Sequence, residues 1–334
     1  MKIGKLTNEE LQNSILSKIR PLREEVVLRP EIGEDCGAID FGGKLCVVST
    51  DPVTAAQANM GRIAIHICCN DAASSGAEPI AMLLSLLIPP TCTKETIEEI
   101  MNQAQETAES LNVEIIGGHT EITDAVTRPV LTGTVLASCA ADELVRSSGG
   151  QAGDELVVTK YAGLEGTCII ASDYPEKTRR IIGYANWQRC LALTDHMSVV
   201  KEGVIAAQNG ATAMHDVTEG GILGAVYEIA TGSGCGVLVD ESAVPMLPET
   251  VSLCRGFMLD PLRLISSGSM LIVAKNGRKM VEILQEQGIE AAMIGRLTPA
   301  WEGMRVHCSD GEIRPLGAPQ RDEIYKLAEN EPLL

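Results

Sequence analysis

Apolar residues follow two different spacings along the first 140 residues, and these spacings predict strands and helices in turn. Short apolar runs that end in polar residues favour buried strands, whereas apolar residues three and four apart favour helices. The segment 61–79 is almost wholly apolar, while 93–112 is amphipathic with acidic residues in its first turn. Strands are predicted at 44–54, 80–90, 113–118 and 128–140, and helices at 6–19, 61–79 and 93–112.

A stretch rich in glycine and serine, VRSSGGQAGDE (145–155), separates this half from a second set of elements. Strands are predicted at 156–160, 235–245, 268–275, 291–298 and 304–308, helices over 164–208 and at 279–288, and a strand–turn–helix unit at 213–231. Long helices between strands in this mixed order predict an α+β fold with α/β-type layers. We expect two domains, residues 1–150 and 151–334.

The charge of the chain excludes several classes of partner. The formal net charge is −18 over 334 residues, and aromatic residues make up only 3%. Such a chain repels nucleic acid and anionic membrane, so neither is expected as a partner. The chain shows no signal peptide and no apolar run long enough to span a bilayer, and its eleven cysteines include no C-x-x-C pair. We therefore expect a cytoplasmic protein with buried, reduced thiols.

Acidic residues recur where a strand or helix meets a glycine or a turn. Examples are Glu34 and Asp35, Asp51, Asp71, Glu121, and Asp216 with Glu219. Carboxylates that converge from several segments suit Mg²⁺, which also binds phosphate oxygens. Chance placement of acids at the ends of elements is the alternative interpretation.

Asp71 is the most informative of these residues, because it lies inside the predicted apolar helix AIHICCNDAASSGA. An unpaired carboxylate is almost never buried, since its desolvation costs several kcal/mol. Either Asp71 binds a cation such as Mg²⁺, or Asn70 and Asp71 face solvent or cap a neighbouring turn. The sequence alone leaves both interpretations open.

Two glycine pairs precede polar residues. In IIGGHTEIT, Gly117 and Gly118 precede His119, Thr120 and Glu121, and we expect a strand that ends at the pair and turns these side chains toward a ligand.

In HDVTEGGIL, Thr218 is predicted to cap the following helix, with Gly220 and Gly221 letting its N–H groups approach a phosphate. A tight turn is the alternative for this second pair. The sequence lacks a P-loop, a Rossmann fingerprint in the right order, a G-x-S-x-G elbow and an H-E-x-x-H motif.

The order of the motifs is similar to that of the aminoimidazole-ribonucleotide-synthetase-like (PurM-like) superfamily. Six segments carry the resemblance, and together they span nearly the whole chain: GEDCGAID, VVSTDPVT, NDAASSGAEP, GGHTE, HDVTEGGILGAVYEIA and DPLRLISSGSMLIVA. The last two most resemble the HypE group of hydrogenase maturation proteins. The resemblance implies a two-domain synthetase-like fold, in which the N-terminal mixed sheet forms a barrel across a homodimer and the C-terminal mixed sheet is flanked by helices.

The resemblance also implies ATP and Mg²⁺ as cofactors, bound between the domains. Carried over residue by residue, it implies metal ligands at Asp35, Asp51, Asp71 and Glu121, and catalytic roles for His119, Glu121 and Asp216. It implies nucleotide contacts at Lys5, Thr50, Asn70, Gly117, Gly118, Thr120, Thr218, Gly220 and Gly221. The implied reaction is ATP-dependent phosphorylation of a carbonyl or amide-type oxygen.

Two departures from the family bear on this expectation. HypE proteins end in a cysteine that carries the carbamoyl group, whereas the last cysteine here is Cys308, so we expect no self-modification in cis. His119 stands where the family commonly has a carboxylate or amide, and imidazole is a poor Mg²⁺ ligand. We expect either that Glu121 takes over the metal or that the site holds fewer ions. The acceptor is not named by the sequence. A thiamine-monophosphate-kinase-like phosphotransferase and a catalytically silent nucleotide-binding scaffold in a maturation complex are the alternatives.

Overall fold

The computed structural model describes residues 6, 8–54, 59–319 and 321–327, and in them the chain forms two mixed sheets in succession. The first sheet has the spatial order β1-β2-β3-β6-β4-β5, and only β4 and β5 run parallel. Its strands are β1 (Val26–Leu28), β2 (Gly37–Asp40), β3 (Lys44–Val53), β4 (Glu78–Ile88), β5 (Glu114–Ile122) and β6 (Val130–Ala140).

Two helices, α2 (Met60–Ser74) and α3 (Lys94–Ser110), cover one face of this sheet. The helix α1 (Asn8–Ser14) and a short 3₁₀ helix (Leu16–Lys18) precede β1 in the chain. The helix α2 lies in the core between the sheet and α3, which explains why its sequence is apolar on every side. Gly61 permits this packing, because a Cβ at this position would lie 2.0 Å from the main-chain oxygen of Ile100 in α3.

On the other face of the first sheet, side chains of the described residues stay partly or largely exposed. Along β3, β4 and β6 the side chains alternate between a buried row toward α2 and an outer row. The outer row includes Val48 and Leu136, both half-buried, and Ile80 and Leu83, which are 52% and 39% exposed. We call this row the outer face.

The second sheet has the order β13-β12-β9-β11-β7-β10-β8, with β9 and β12 parallel. Its strands are β7 (Glu155–Thr159), β8 (Ala211–Val217), β9 (Gly236–Asp240), β10 (Ser269–Ala274), β11 (Ala291–Thr298), β12 (Met304–His307) and β13 (Ile313–Pro315). Its helices are α4 (Leu164–Asp173), α5 (Pro175–Ile182), α6 (Tyr184–Leu191), α7 (Val200–Gln208), α8 (Gly221–Gly232), α9 (Pro248–Phe257) and α10 (Gly277–Glu286). Further 3₁₀ helices span Ala192–His196, Glu241–Ala243, Ala300–Glu302 and Glu323–Tyr325.

The two layers meet where α2 contacts α7. A Cβ at Gly203 in α7 would lie 2.1 Å from the main-chain oxygen of Ala73 in α2, so only glycine allows this close approach. The chain passes from the first sheet to the second between Ala140 and Glu155, without regular structure. This is where the glycine-rich stretch was predicted to separate two domains.

The predicted α+β fold with two mixed sheets flanked by helices is confirmed. The predicted strands and helices correspond to elements of the structure, with two kinds of exception. The helix predicted at 61–79 ends at Ser74, and β5 continues through the polar residues of GGHTEI. The pattern did not reveal β1, β2, α9 and β13. The eleven cysteines are free thiols, buried or half-buried, as expected. Among the described residues, no helix is both long and apolar enough to cross a membrane.

Candidate functional site

Four aspartates from four different elements come together at one end of α2. Asp35 lies in the loop before β2, and Asp51, Asp71 and Asp216 lie in β3, α2 and β8. The loop of Asp35 is held by its neighbour Glu34, whose carboxylate accepts hydrogen bonds from the Ser147 main-chain N–H at 2.8 Å and hydroxyl at 2.6 Å. These aspartates are the ones that the sequence singled out as separate acidic positions.

Asp71 is buried, as its position in α2 predicts, and its side chain is only partly compensated. The Ser49 hydroxyl donates a hydrogen bond of 2.6 Å to its carboxylate. Burial raises the pKa of Asp71 well above its ordinary value. The carboxylates of Asp216, Asp35 and Asp51 raise that pKa further, in this order. The cluster therefore accumulates negative charge that a divalent cation would neutralise.

The described residues compensate the carboxylate of Asp216 with hydrogen bonds even less than that of Asp71. Asp216 is 2% exposed, and neither oxygen of its buried carboxylate accepts a hydrogen bond from any described residue. Buried polar groups without a partner are rare and costly. An oxygen of Asp35, a nitrogen of His215 and an oxygen of Asp216 all lie within 4.8 Å of one another. This donor set fits a divalent cation.

His215 is a member of this cluster that the sequence reasoning missed. Its Nδ1 lies 3.7 Å from the Asp216 carboxylate and 3.9 Å from that of Asp35, and its Nε2 lies 3.1 Å from the carboxylate of Glu228 in α8. Burial lowers the pKa of His215, but the Asp216, Glu228 and Asp35 carboxylates outweigh burial and raise this pKa well above its ordinary value. The available signal was its position next to Asp216 in HDVTEGG.

The GGHTE segment (117–121) lies in β5 and contributes none of the residues of this cluster. The expectation that Gly117 and Gly118 end the strand is wrong, because β5 pairs with β4 through His119 to Ile122. A glycine is needed at position 118 because the neighbouring strand β4 passes close to it, and not because the chain turns there. A Cβ at Gly118 would lie 1.8 Å from the main-chain oxygen of Leu84.

The register of β5 places His119 and Glu121 on the outer face. His119 pairs with Ser85 and Glu121 with Leu87, which belong to the outer row of β4. Within a protomer the two side chains therefore face away from the layer of α2, where Asp71 lies. His119 Nε2 is 3.6 Å from Glu121, and both side chains are more than half exposed.

The other predicted nucleotide contacts of this half that the structure describes lie in the first sheet and in α2. The Thr50 hydroxyl donates to the Gly133 main-chain oxygen and also contacts the Thr134 hydroxyl on the outer face. Thr120 is exposed on β5. The Asn70 amide joins the two layers, because it donates to the main-chain oxygen of Met197 and accepts from the N–H of Val199, each at 2.8 Å. Lys5 lies outside the described residues.

The start of α8 differs from the prediction. Both Gly220 (φ +87°) and Gly221 (φ +61°) adopt the left-handed conformation that favours glycine. The expected Thr218 side-chain cap is absent from the helix: its main-chain oxygen accepts from Gly221 N–H instead. The Gly220 N–H donates to the carboxylate of Asp322 at 2.6 Å. The N–H predicted to approach a phosphate is thus bound to an acidic side chain near the end of the described chain.

A second acidic group lies near this carboxylate. Glu165 in α4 is 7% exposed, and its buried Oε2 has no hydrogen-bond partner among the described residues. Burial raises the pKa of Glu165 to about 7, and the charges of Asp322 and Glu219 contribute, although the hydroxyl and main-chain N–H of Ser267 oppose the shift. Burial likewise raises the pKa of Asp322 to about 6.

Comparison with known proteins gives consistent matches along the chain. A protein of Methanocaldococcus jannaschii named "Putative hydrogenase expression/formation protein" is 27% identical over 332 residues, covering 95% of this chain and 96% of that protein. Carbamoyl dehydratase HypE of Escherichia coli is 26% identical over 285 residues, covering 83% and 81%.

A crystal structure of hydrogenase maturation protein HypE in complex with ATP superposes with a TM-score of 0.72 at 17% identity, covering 96% of this chain and 97% of that one. This likeness supports the fold. The family model for the N-terminal domain of AIR synthase related proteins matches residues 33–139, and the model for the C-terminal domain matches residues 151–307. The two matches together span most of the chain, which therefore belongs to the AIR synthase related protein family.

Proposed function

We propose that this protein is an ATP- and divalent-metal-dependent enzyme that transfers the γ-phosphoryl group of ATP to a carbonyl or amide-type oxygen. The buried carboxylate of Asp216, which has no hydrogen-bond partner among the described residues and lies beside Asp71, carries the proposal. The likeness to a carbamoyl dehydratase supports the acceptor class, because a phosphorylated amide oxygen leaves as phosphate when an amide is dehydrated to a nitrile. Hydrogenase maturation is the corresponding proposed process.

Asp35, Asp51, Asp71 and Asp216 would hold the metal. When bound, a divalent ion supplies charge neutralisation and positioning of phosphate oxygens, the main catalytic terms in phosphoryl transfer. Ser49 orients the Asp71 carboxylate through its hydrogen bond. The excess of negative charge on these side chains repels a phosphate in the absence of metal, so nucleotide binding should require the cation.

The outer face supports a homodimer. Ile80 and Leu83 are exposed on a sheet face that also carries half-buried Val48 and Leu136. Large apolar side chains exposed on one sheet face are typical of an interaction surface. The barrel implied by the family would cover this face, and it would enclose His119 and Glu121, whose catalytic roles remain predictions. The domain boundary at residue 150 is likewise proposed, supported by the change of sheet after it.

The test measures ATP turnover and metal binding together. ADP release would be followed with Mg²⁺ or Mn²⁺ and a carbamoylated thiol peptide as acceptor, and metal and ATP binding by calorimetry. We expect Asp51→Asn and Asp71→Asn to weaken metal binding at least roughly tenfold and to abolish turnover. The matched control is Asp142→Asn, which replaces an exposed aspartate in the segment that connects the two sheets. This variant should behave as the wild type.

Three results would count against the proposal. Turnover retained in both Asp51→Asn and Asp71→Asn would show that the reaction does not need the carboxylate cluster. ATP binding without turnover would support the scaffold alternative. ADP release that depends on thiamine monophosphate, and not on a carbamoyl acceptor, would assign the chain to small-molecule phosphotransfer.

A further inference from the structure

The imidazole of His215 is the one group of the acidic cluster to which the family resemblance gives no role. Its Nδ1 lies 3.7 Å from Asp216 Oδ1 and 3.9 Å from Asp35 Oδ2. Two ligands of one ion, each about 2.1 Å from it, are at most about 4.2 Å apart. The nitrogen and the two oxygens are therefore close enough to share an ion with little movement.

An independent observation points to a ligand at this place. The carboxylate of Asp216 is buried, and within the described part of the chain neither of its oxygens has a hydrogen-bond partner. The main-chain oxygen of the same residue, by contrast, accepts a hydrogen bond of 2.7 Å from His215 Nδ1. A carboxylate that accepts nothing from the protein around it is the group that a bound cation would satisfy.

The second imidazole nitrogen is already oriented. His215 Nε2 lies 3.1 Å from Glu228 Oε2, on the second turn of α8. Metal-binding histidines almost always donate their other N–H to a carboxylate, a carbonyl or water, which fixes the ring and raises its basicity. In the structure both ring nitrogens donate, Nδ1 to the main-chain oxygen of Asp216 and Nε2 to Glu228. Loss of the Nδ1 hydrogen, with Nε2–H kept by Glu228, would present a lone pair on Nδ1 toward Asp35 and Asp216.

We propose that His215 is a metal ligand through Nδ1, that Glu228 is its positioning residue, and that the site consequently prefers Mn²⁺ to Mg²⁺. The proposal deepens the proposed function, on which it rests. Imidazole is a poor ligand for Mg²⁺ but a good one for divalent transition ions, whereas carboxylates accept both kinds of ion. On binding, Nδ1 would release its proton to solvent and exchange its hydrogen bond to the Asp216 main-chain oxygen for the ion.

Pulsed electron paramagnetic resonance of the Mn²⁺-loaded protein, without nucleotide, tests the bond directly. We expect a ¹⁴N coupling to Mn²⁺ that is replaced by a ¹⁵N coupling when only the histidines carry ¹⁵N. The coupling should vanish in His215→Asn and persist in His307→Asn, a matched control on β12. Glu228→Gln should keep the coupling but weaken Mn²⁺ binding by roughly 10- to 100-fold.

Calorimetry supplies the second readout. The ratio of Mn²⁺ to Mg²⁺ affinity should fall at least roughly tenfold in His215→Asn, because only the nitrogen ligand distinguishes the two ions. Circular dichroism checks that each variant folds, and the ¹⁵N-labelled wild type decides the question even if a variant does not fold.

Bound Mn²⁺ without nitrogen coupling would overturn the inference and leave the proposed function standing, with His215 as a hydrogen-bond donor between Glu228 and the Asp216 main chain. Absence of Mn²⁺ and Mg²⁺ binding, with or without ATP, would overturn both.

Discussion

Replacing Glu165 by glutamine should stabilise the protein at alkaline pH. The carboxylate is buried in α4, its Oε2 lacks a hydrogen-bond partner among the described residues, and burial raises its pKa from 4.5 to about 7. Because the folded state holds the proton more tightly than the unfolded state, this group contributes its full stability below about pH 4.5. That contribution is lost as the pH rises through about 7.

The magnitude follows from the shift. Each pKa unit corresponds to about 1.4 kcal/mol, so a rise from 4.5 to about 7 costs about 3 kcal/mol at pH 8, as an order of magnitude. Glutamine removes the ionisation but places an amide N–H where the carboxylate has no partner, which costs roughly 1 kcal/mol. We therefore expect Glu165→Gln to exceed the wild type by roughly 2 kcal/mol at pH 8 and to lose that advantage near pH 4.5.

Urea unfolding at pH 5, 6.5 and 8 measures this difference, with the slope of the transition as a check that unfolding remains two-state. Glu106→Gln, on the exposed side of α3, is the control, and its difference from the wild type should not change with pH. If Glu165→Gln differs from the wild type by the same amount at all three values, the argument from burial is refuted.

Three other substitutions test the packing around the site. Asp322→Ala removes the acceptor of the Gly220 N–H and should cost about 1–2 kcal/mol in urea unfolding, whereas an unchanged midpoint would show that the contact is dispensable. Gly118→Ala brings a Cβ to 1.8 Å from the main chain of β4, so a loss of more than about 2 kcal/mol in thermal unfolding is expected; the same cost in Gly37→Ala, where a Cβ would meet only ordinary contacts, would contradict this explanation. In the wild type, Lys160 Nζ lies 2.7 Å from the buried carboxylate of Glu202. Lys160→Met leaves that carboxylate buried without its ion-pair partner and should cost about 3–5 kcal/mol in urea unfolding. Adding Glu202→Gln should restore part of the lost stability, and no recovery would argue against an unpaired charge as the cause.

The sequence predicted the site most accurately where a charged residue lies within an apolar segment. Asp71 stood out because a carboxylate inside an apolar helix requires a partner, and the structure places it among Asp35, Asp51 and Asp216. The strands and helices around it followed from the spacing of apolar residues, which is a local property. The same reasoning cannot state which elements pack together, so the convergence of these side chains had to come from the family resemblance.

Two features of the site escaped prediction for physical reasons. A glycine pair is required equally by a turn and by the close approach of a neighbouring strand, and only the pairing of Gly118 with Leu84 decides between them. His215 looked like an isolated histidine because Glu228 lies thirteen residues further on, in a helix whose packing the sequence does not show. Asp322 is more distant still from the helix whose N–H it accepts.

The hydrogen bonds of Asn70 have a consequence for the modularity of the chain. This side chain is fully buried and bonds to the main chain on both sides of Ser198, while Gly203 lets α7 lie directly on α2. Each half has its own core, but the two cores are joined by this contact, so a cut near residue 150 would expose apolar surface on both fragments. We therefore expect hybrids between relatives to keep their stability only when α2 and α7 come from the same parent.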